Sequence, residues 1–334
     1  MFITKVITNT SISLLLLVSS SSIVSGQPPR LAKGMCSDPV GRVINGSDFR
    51  LVAGSQICPQ DMIKPVKGSM VKVICYNRKI VEVTQNNRAS QVCLESAAQP
   101  RKICILNSQG NCNDTRAPEE KRNPTLIAPY VGRIINPRPK LSWLDVPGAT
   151  SYIVQVQGSG VNWSRIVQST YLEYPSSESA MEWGRIYKIN VIANEGDEPV
   201  SASSSVAIVL SEEEAQEIKS VVEQIQALNL SADELAIDLD AVYMSKNLLT
   251  EAIGVLEARV DNGSTNPSIY RKLGDRYLDT GLLETNSRAA ARKAYAQAKN
   301  LAQKKNNTHE LAKVQVGVNL LDQSQVPTKT NAAQ

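Results

Sequence analysis

Histidine is almost missing from this sequence: His309 is the only one in 334 residues. Every Ser-His-Asp or Cys-His nucleophile scheme would have to run through that residue. It sits in a Lys- and Asn-rich turn, where a surface or cap position is the simpler reading. Glycine spaced as GxGxxG or GxxxxGK[ST] is absent, which removes the usual phosphate cradles. With two Phe, three Trp and ten Tyr, the cores must rest on Ile, Val and Leu. No apolar run approaches the ~20 residues needed to cross a bilayer. No cysteine follows Cys112, no CxxC knuckle occurs, and no histidine lies near the cysteines, so a zinc site is not indicated.

What is present is an ordinary apolar content of 42% and an uneven charge. The formal net charge is +4, but residues 27–123 carry 15 basic against 8 acidic side chains. Residues 211–261 carry 3 against 12, and residues 262–334 carry 11 against 5. That split suggests ion pairing within the fold or with a partner, not the uniform basic stripe of a nucleic-acid binder. The run Glu212-Glu213-Glu214 reads as a helix first turn rather than a cation site, because consecutive helical residues point different ways. The acids have no aromatic-rich sugar cleft beside them, as a two-carboxylate glycosidase would need.

Residues 1–26 read as a secretory leader: Lys5, then the apolar stretch Ile12 to Val18, then Val24-Ser25-Gly26 before Gln27. A membrane anchor is the alternative, and the short apolar run argues against it. No cysteine follows the cleavage point to carry a lipid. Export supplies the oxidising compartment in which the six cysteines, Cys36, Cys58, Cys75, Cys93, Cys104 and Cys112, become disulfide candidates. Their connectivity is open. A local loop closed by Cys104 and Cys112 is the pairing expected first. The exported chain would be periplasmic or at the cell surface, with no stable membrane insertion after cleavage. Asn-x-Ser/Thr sites such as Asn162-Trp163-Ser164 matter only in a eukaryotic secretory pathway.

The cysteines define a module over residues 31–112. Val71–Cys75 and Ile80–Val83 are short β-type runs around the turn-prone Tyr76-Asn77-Arg78. The segment Leu51-Val52-Ala53-Gly54-Ser55-Gln56-Ile57-Cys58-Pro59-Gln60-Asp61-Met62-Ile63 resembles the "L-x-x-G-x-x-L-C-P-G-D-x-I" opening of FecR-like β modules in secreted cyanobacterial proteins. Gln60 stands where that pattern has Gly. The resemblance implies a small β-sheet unit with a structural or ligand-sensing role. Residues 113–124 are nearly all polar or helix-breaking and read as a linker.

Residues 125–210 alternate apolar and polar over short runs, the pattern of a β-sandwich. Leu141 and Trp143 share one face of a strand, Tyr152, Val154 and Val156 the face of the next. Tyr187, Ile189 and Val191 follow, and Val206, Ile208 and Leu210 complete the expected inner face. "Leu-Ser-Trp-Leu-Asp-Val-Pro-Gly-Ala", "Tyr-Ile-Val-Gln-Val" and Met181-Glu182-Trp183-Gly184-Arg185-Ile186-Tyr187 resemble the strands and tyrosine corner of a fibronectin type III domain. The resemblance implies that the Tyr187 hydroxyl bonds back to the chain. Trp143 reads as core, while Trp163, beside Gly158-Ser159-Gly160, is open between core and ligand platform.

From Ser211 the apolar period changes to 3.6. Ser211 with Glu214 and Ser231 with Glu234 are capping boxes. Ala215, Ile218, Val222, Ile225 and Leu228 are expected on one face of the first helix. Leu239, Tyr243, Asn247 and Leu249 recur 34 residues later as Leu273, Tyr277, Gly281 and Leu283. Asn266 caps a helix that has Pro267 in its first turn. Tyr270, Leu273, Gly274 and Tyr277, then Ala291, Tyr295 and Ala298, resemble tetratricopeptide repeats with an insertion around Glu284 to Ser287. Two copies flanked by the helix from Ser211 and a capping segment, Thr308 to Leu321, give about six helices over residues 211–322. Residues 323–334 are read as a disordered tail.

The expected fold class is therefore multidomain: a disulfide-bearing β module, a sandwich, then an all-α repeat domain. The expected function is non-enzymatic protein–protein interaction or scaffolding, without cofactor, metal or nucleic acid. The tetratricopeptide resemblance implies a peptide groove at Glu234, Asp238, Ala241 and Met244 of the first copy. In the second copy it implies Arg271, Lys272, Asp275 and Asp279, and a peptide with a basic end. The alternative is a cell-envelope sensor or assembly factor whose β module binds ligand while the helices oligomerise.

Overall fold

The structure is a computed structural model that describes residues 36, 38–94, 105–106, 112–113, 123–130, 132–281 and 286–323. The leader, most of the linker, the insertion at residues 284–285, the tail from residue 324 and Cys104 lie outside them, and with Cys104 the expected Cys104–Cys112 loop. β-sheets occupy the first part of the chain and helices the last.

The first sheet is antiparallel, with strands β1 (Gly41–Gly46), β2 (Gln56–Ile57), β4 (Val71–Cys75) and β5 (Lys79–Val83) in the order β2-β1-β4-β5. β4 and β5 pair from Val71↔Val83 to Cys75↔Lys79, around a turn in which Arg78 takes φ 72°. The short β3 (Met62–Ile63) and β6 (Asn87–Arg88) pair beside it, and one turn of helix, α1 (Ala89–Val92), follows. Val43, Ile57, Ile63, Val71, Val73 and Val83 pack a core that is too small to be stable alone. Disulfides Cys36–Cys58 and Cys75–Cys93 close loops of 22 and 18 residues around it. Such cross-links fit the oxidising compartment expected for an exported chain. β7 (Ile105–Leu106) and β8 (Cys112–Asn113) form a separate antiparallel pair.

Two sheets then share one core. β9 (Leu126–Ala128), β11 (Leu141–Trp143) and β14 (Tyr171–Leu172) make the smaller, in the order β14-β11-β9. β10 (Gly132–Ile134), β12 (Ser151–Gly158), β13 (Val161–Val167), β15 (Ile186–Glu195) and β16 (Glu198–Val209) make the larger, in the order β10-β16-β15-β12-β13. Trp143, Tyr152, Val154, Val156, Tyr187, Ile189 and Val191 all point into the core. Tyr187 hydroxyl accepts from the Glu182 amide at 2.7 Å and donates to the Ser159 carbonyl at 2.9 Å. It thereby ties the corner before β15 to the β12–β13 turn. Trp163 is core: it is 5% exposed and donates its indole N–H to Tyr174 at 3.1 Å.

The last strand is one residue out of the expected phase. Ala207 and Val209 face the core, while Val206 and Ile208 lie half-buried on the other face. The run Val-Ala-Ile-Val-Leu is apolar on both faces, so alternation alone did not fix its side. Its register is set by pairing on both edges, with β15 antiparallel and β10 parallel.

Six helices follow: α2 (Glu212–Gln226), α3 (Ala232–Ser245), α4 (Leu249–Asp261), α5 (Pro267–Asp279), α6 (Asn286–Lys304) and α7 (Thr308–Gln323). Both capping boxes form, with the Ser211 and Ser231 side chains accepting the Glu214 and Glu234 amides. α2 buries Val221 fully, and Val222 stands at the margin. α5, α6 and α7 meet on the Tyr295 ring. A Cβ on Gly274 would lie 2.8 Å from that ring and one on Gly317 2.5 Å, so both positions need glycine for this packing.

A second core welds the parts together. Ile44 and Ile74 from the first sheet, Leu210 from the end of β16, and Ala215, Ile218, Val221, Ile225, Leu239 and Val242 from α2 and α3 form one cluster. β1 is buried on both faces because Val43 looks into its own module and Ile44 into the helices.

Candidate functional site: a charged seam under the first β-sheet

Three of the helical residues expected to line a peptide groove, Glu234, Asp238 and Asp279, meet the chain's own β module instead. Arg42, on the helix-facing side of β1 and 2% exposed, donates from Nε to Asp238, which is 0% exposed. It also donates from Nη1 to the Gly54 carbonyl at 2.7 Å and from Nη2 to Glu234 at 3.3 Å. Tyr76, just after β4, donates its hydroxyl to the second Asp238 oxygen at 2.9 Å. The Asp238 carboxylate is thus held by two groups of one module across 196 and 162 residues of sequence.

Two residues further, Asp240 turns to the opposite side of α3 and is likewise 0% exposed. Arg276 of α5 grips it in a fork, Nε at 2.6 Å and Nη2 at 2.9 Å, and Lys272 adds Nζ at 3.1 Å. Arg276 also reaches Asp279 at 3.0 Å, and Arg78 from the β4–β5 turn meets the same carboxylate at 2.7 Å. Towards α7, Arg271 joins Glu310 and Asp275, each at 2.6 Å, and Asp275 accepts from the Tyr295 hydroxyl at 2.8 Å. Asp38 closes the far end, with Lys313 at 2.7 Å and His309 at 3.2 Å.

Burial and charge pull the two aspartates apart. At Asp240 burial opposes ionisation, but Arg276 and Lys272 outweigh it and hold the carboxyl well below the usual range. At Asp238 burial prevails over Arg42 and the Tyr76 hydrogen bond, and the carboxyl stays above its ordinary value. Burial likewise pulls the Lys272 ammonium down further than Asp240 restores it. Tyr76 is pushed well up by burial and by Asp238, so its hydroxyl remains a donor.

Of the expected groove residues, Glu234, Asp238, Arg271, Lys272, Asp275 and Asp279 therefore all lie in this seam, each in an ion pair or hydrogen bond. Met244 does not: it is 4% exposed and packs with Leu249, Ile253 and Ile269. Ala241 is buried against α2. Sequence reasoning missed Arg42, Tyr76, Asp240 and Arg276. The sequence held one signal for the aspartates: Asp238 falls three residues after Leu235 and four before Val242, and Asp240 stands four from both Ala236 and Met244. Both positions lie on apolar stripes of the helix, where a carboxylate must find a partner.

Two cavities lie at the helix contacts, one of them in the seam. One, of about 310 Å³, is polar and lies between Tyr76 and Arg78 on one side and Arg271, Arg276 and Glu310 on the other. The other, of about 480 Å³, is a largely apolar groove at the junction of sandwich and helices, lined by Ile135, Pro137, Trp183, Ile218, Val222 and Tyr243. Lys219 Nζ stands 5.8 Å from the Trp183 ring centre. Among the described residues, no three His, Cys, Asp or Glu side chains are grouped to hold a metal ion, and no helix is long and apolar enough to cross a membrane. No protein-family model matches the chain, and no curated protein matches it in sequence.

Proposed function

We propose that this is an exported, non-enzymatic scaffold that acts through protein–protein contact. In this reading it combines a FecR-like β module, a fibronectin type III-like sandwich and a tetratricopeptide-like helical domain. The observation that carries it is the seam. The helix face on which a repeat array would hold a peptide is engaged by Arg42, Tyr76 and Arg78 of the same chain. The helical domain then serves as a clamp that presents the other two parts in fixed orientation.

The partner's place is the junction groove under Trp183. Of its two charged lining residues, Lys219 stands over the Trp183 ring and Glu223 is exposed, so the fitting partner is a peptide that joins an apolar side chain to a basic end that meets Glu223. Titrating labelled basic and acidic peptides of equal apolar content into the full chain, read by fluorescence anisotropy, tests this. The basic peptide should bind, weaken with salt, and weaken again with Trp183→Ala or Glu223→Lys. Equal binding of both peptides, or indifference to Trp183, refutes the groove.

A second reading, a cell-envelope sensor or assembly factor in which the β module binds ligand, is favoured by the polar cavity at Tyr76 and Arg78. Trp183→Ala weakens peptide binding under the first reading and spares ligand binding under the second, whereas Arg78→Ala does the reverse.

A further inference from the structure

The far end of β1 has a chemistry of its own. β1 enters the seam at Arg42 and reaches Gly46 four residues on, about 13 Å away at the rise of a strand. There residues 47–49 run antiparallel to residues 64–66. The Phe49 amide donates to the Lys64 carbonyl at 3.3 Å, the Val66 amide to the Ser47 carbonyl at 3.0 Å, and Asp48 bridges Pro65. Facing residues on antiparallel strands project to the same side, so Phe49, Lys64 and Val66 emerge together. Met62, two residues before Lys64, shares that side and stands opposite Arg88. Met70 abuts Gly46 at the base of the ribbon.

These apolar side chains are in water. Phe49 is 72% exposed, Met70 49%, Met62 40% and Val66 39%. Arg50, Lys64, Lys67 and Arg88 surround them, all exposed, and none is in an ion pair among the described residues. The two local carboxylates are bonded to the backbone. Asp48 accepts from the amides of Arg50 at 2.7 Å, Leu51 at 2.8 Å and Lys64, and Asp61 accepts from the Cys58 amide at 2.7 Å. Four cations, Arg50, Lys64, Lys67 and Arg88, against the two carboxylates Asp48 and Asp61 leave the tip with a positive balance.

We propose that this tip, residues 46–50 and 62–70 with Arg88, docks the protein peripherally on an anionic lipid surface. Stable yet reversible membrane attachment needs two signals, apolar insertion and cationic attraction, and the tip carries both. The exposed apolar side chains and the unpaired cations lie together on one projection, as insertion into an anionic lipid surface requires, and capture by an acidic protein is the outcome that would exclude it. None of the tip residues lines either cavity or bonds in the seam, so the proposal does not depend on the peptide-binding reading.

Flotation of the full chain with vesicles of phosphatidylcholine, alone or mixed with phosphatidylglycerol, tests the proposal. The chain should float with the mixed vesicles only, and less as salt rises. Lys64→Gln with Lys67→Gln should weaken partitioning about fivefold per charge removed. Phe49→Ser should weaken it about tenfold. All three positions are exposed, and an unchanged thermal melt confirms that the variants fold. Failure to float with anionic vesicles overturns the proposal, as does flotation that ignores both substitutions. So does a tip that captures an acidic protein and no vesicle.

Discussion

Replacing Asp240 with Asn is the sharpest perturbation of the seam. The side chain keeps its volume and loses its charge, leaving Lys272 and Arg276 buried beside a neutral amide. Removing one partner of a buried ion pair costs about 3–5 kcal/mol, because the remaining charge has left water without compensation. Arg276 keeps Asp279 at 3.0 Å, so the lower end, about 3 kcal/mol, is expected. A chain of several modules does not unfold in one step, so hydrogen exchange at the amides of α3 and α5 is the proper readout. The sign with pH follows from the depressed carboxyl of Asp240. Its contribution is complete above the unfolded carboxylate value of about 3.9 and is lost as pH falls from there through the folded value. Wild type and variant should therefore converge in acid. A companion variant, Asp240→Leu with Lys272→Met and Arg276→Met, removes all three charges and should be far less damaged than Asp240→Asn. If Asp240→Asn costs under about 1 kcal/mol, or the apolar triple costs more than the single change, the compensation argument is wrong.

Three other outcomes are expected. Burial raises the Glu251 carboxyl, and one of its oxygens has no hydrogen-bond partner. Stability from this group falls as pH rises through the folded value, so Glu251→Gln should melt higher than wild type at neutral pH, with the gap closing in acid. Gly317→Ala should cost about 1–3 kcal/mol by pressing on the Tyr295 ring, and adding Tyr295→Leu should recover part of it in a thermal melt. Cys75→Ala with Cys93→Ala opens an 18-residue loop and should destabilise the β module by about 3 kcal/mol, read as faster hydrogen exchange in β4 and β5 while α6 is unaffected.

Local features were legible from sequence wherever a short-range rule decides them. The capping boxes at Ser211 and Ser231, the Asn266 cap, the Tyr187 corner and the glycine at position 274 each rest on residues a few places apart. The phase of β16 was not legible, since both its faces are apolar and the choice belongs to its neighbours in the sheet. The seam was not legible either. Asp238 and Asp240 differ by two positions, which on a helix sends them to different neighbours, one towards β1 and one towards α5. A resemblance to repeat helices describes an open face. It carries no information about a module 196 residues upstream that covers that face. The uneven charge along the chain was the nearest hint, because an acidic α3 between a basic N-terminal module and a basic C-terminal half is how such pairing looks in one dimension.

Synthesis from the N-terminus gives the seam an order in time. Arg42 leaves the ribosome 196 residues ahead of the aspartate that will hold it. Until α3 arrives, the guanidinium and the helix-facing Ile44 and Ile74 must stay in water, on a sheet whose other face has only a small core. The loops closed by Cys36–Cys58 and Cys75–Cys93 lie entirely within that early segment and can lock before α2 to α7 exist. The disulfides thus act as a temporary brace that keeps the first module in shape while it waits for its ionic mate. A chain made under reducing conditions would reach α3 with nothing properly formed for Asp238 to receive.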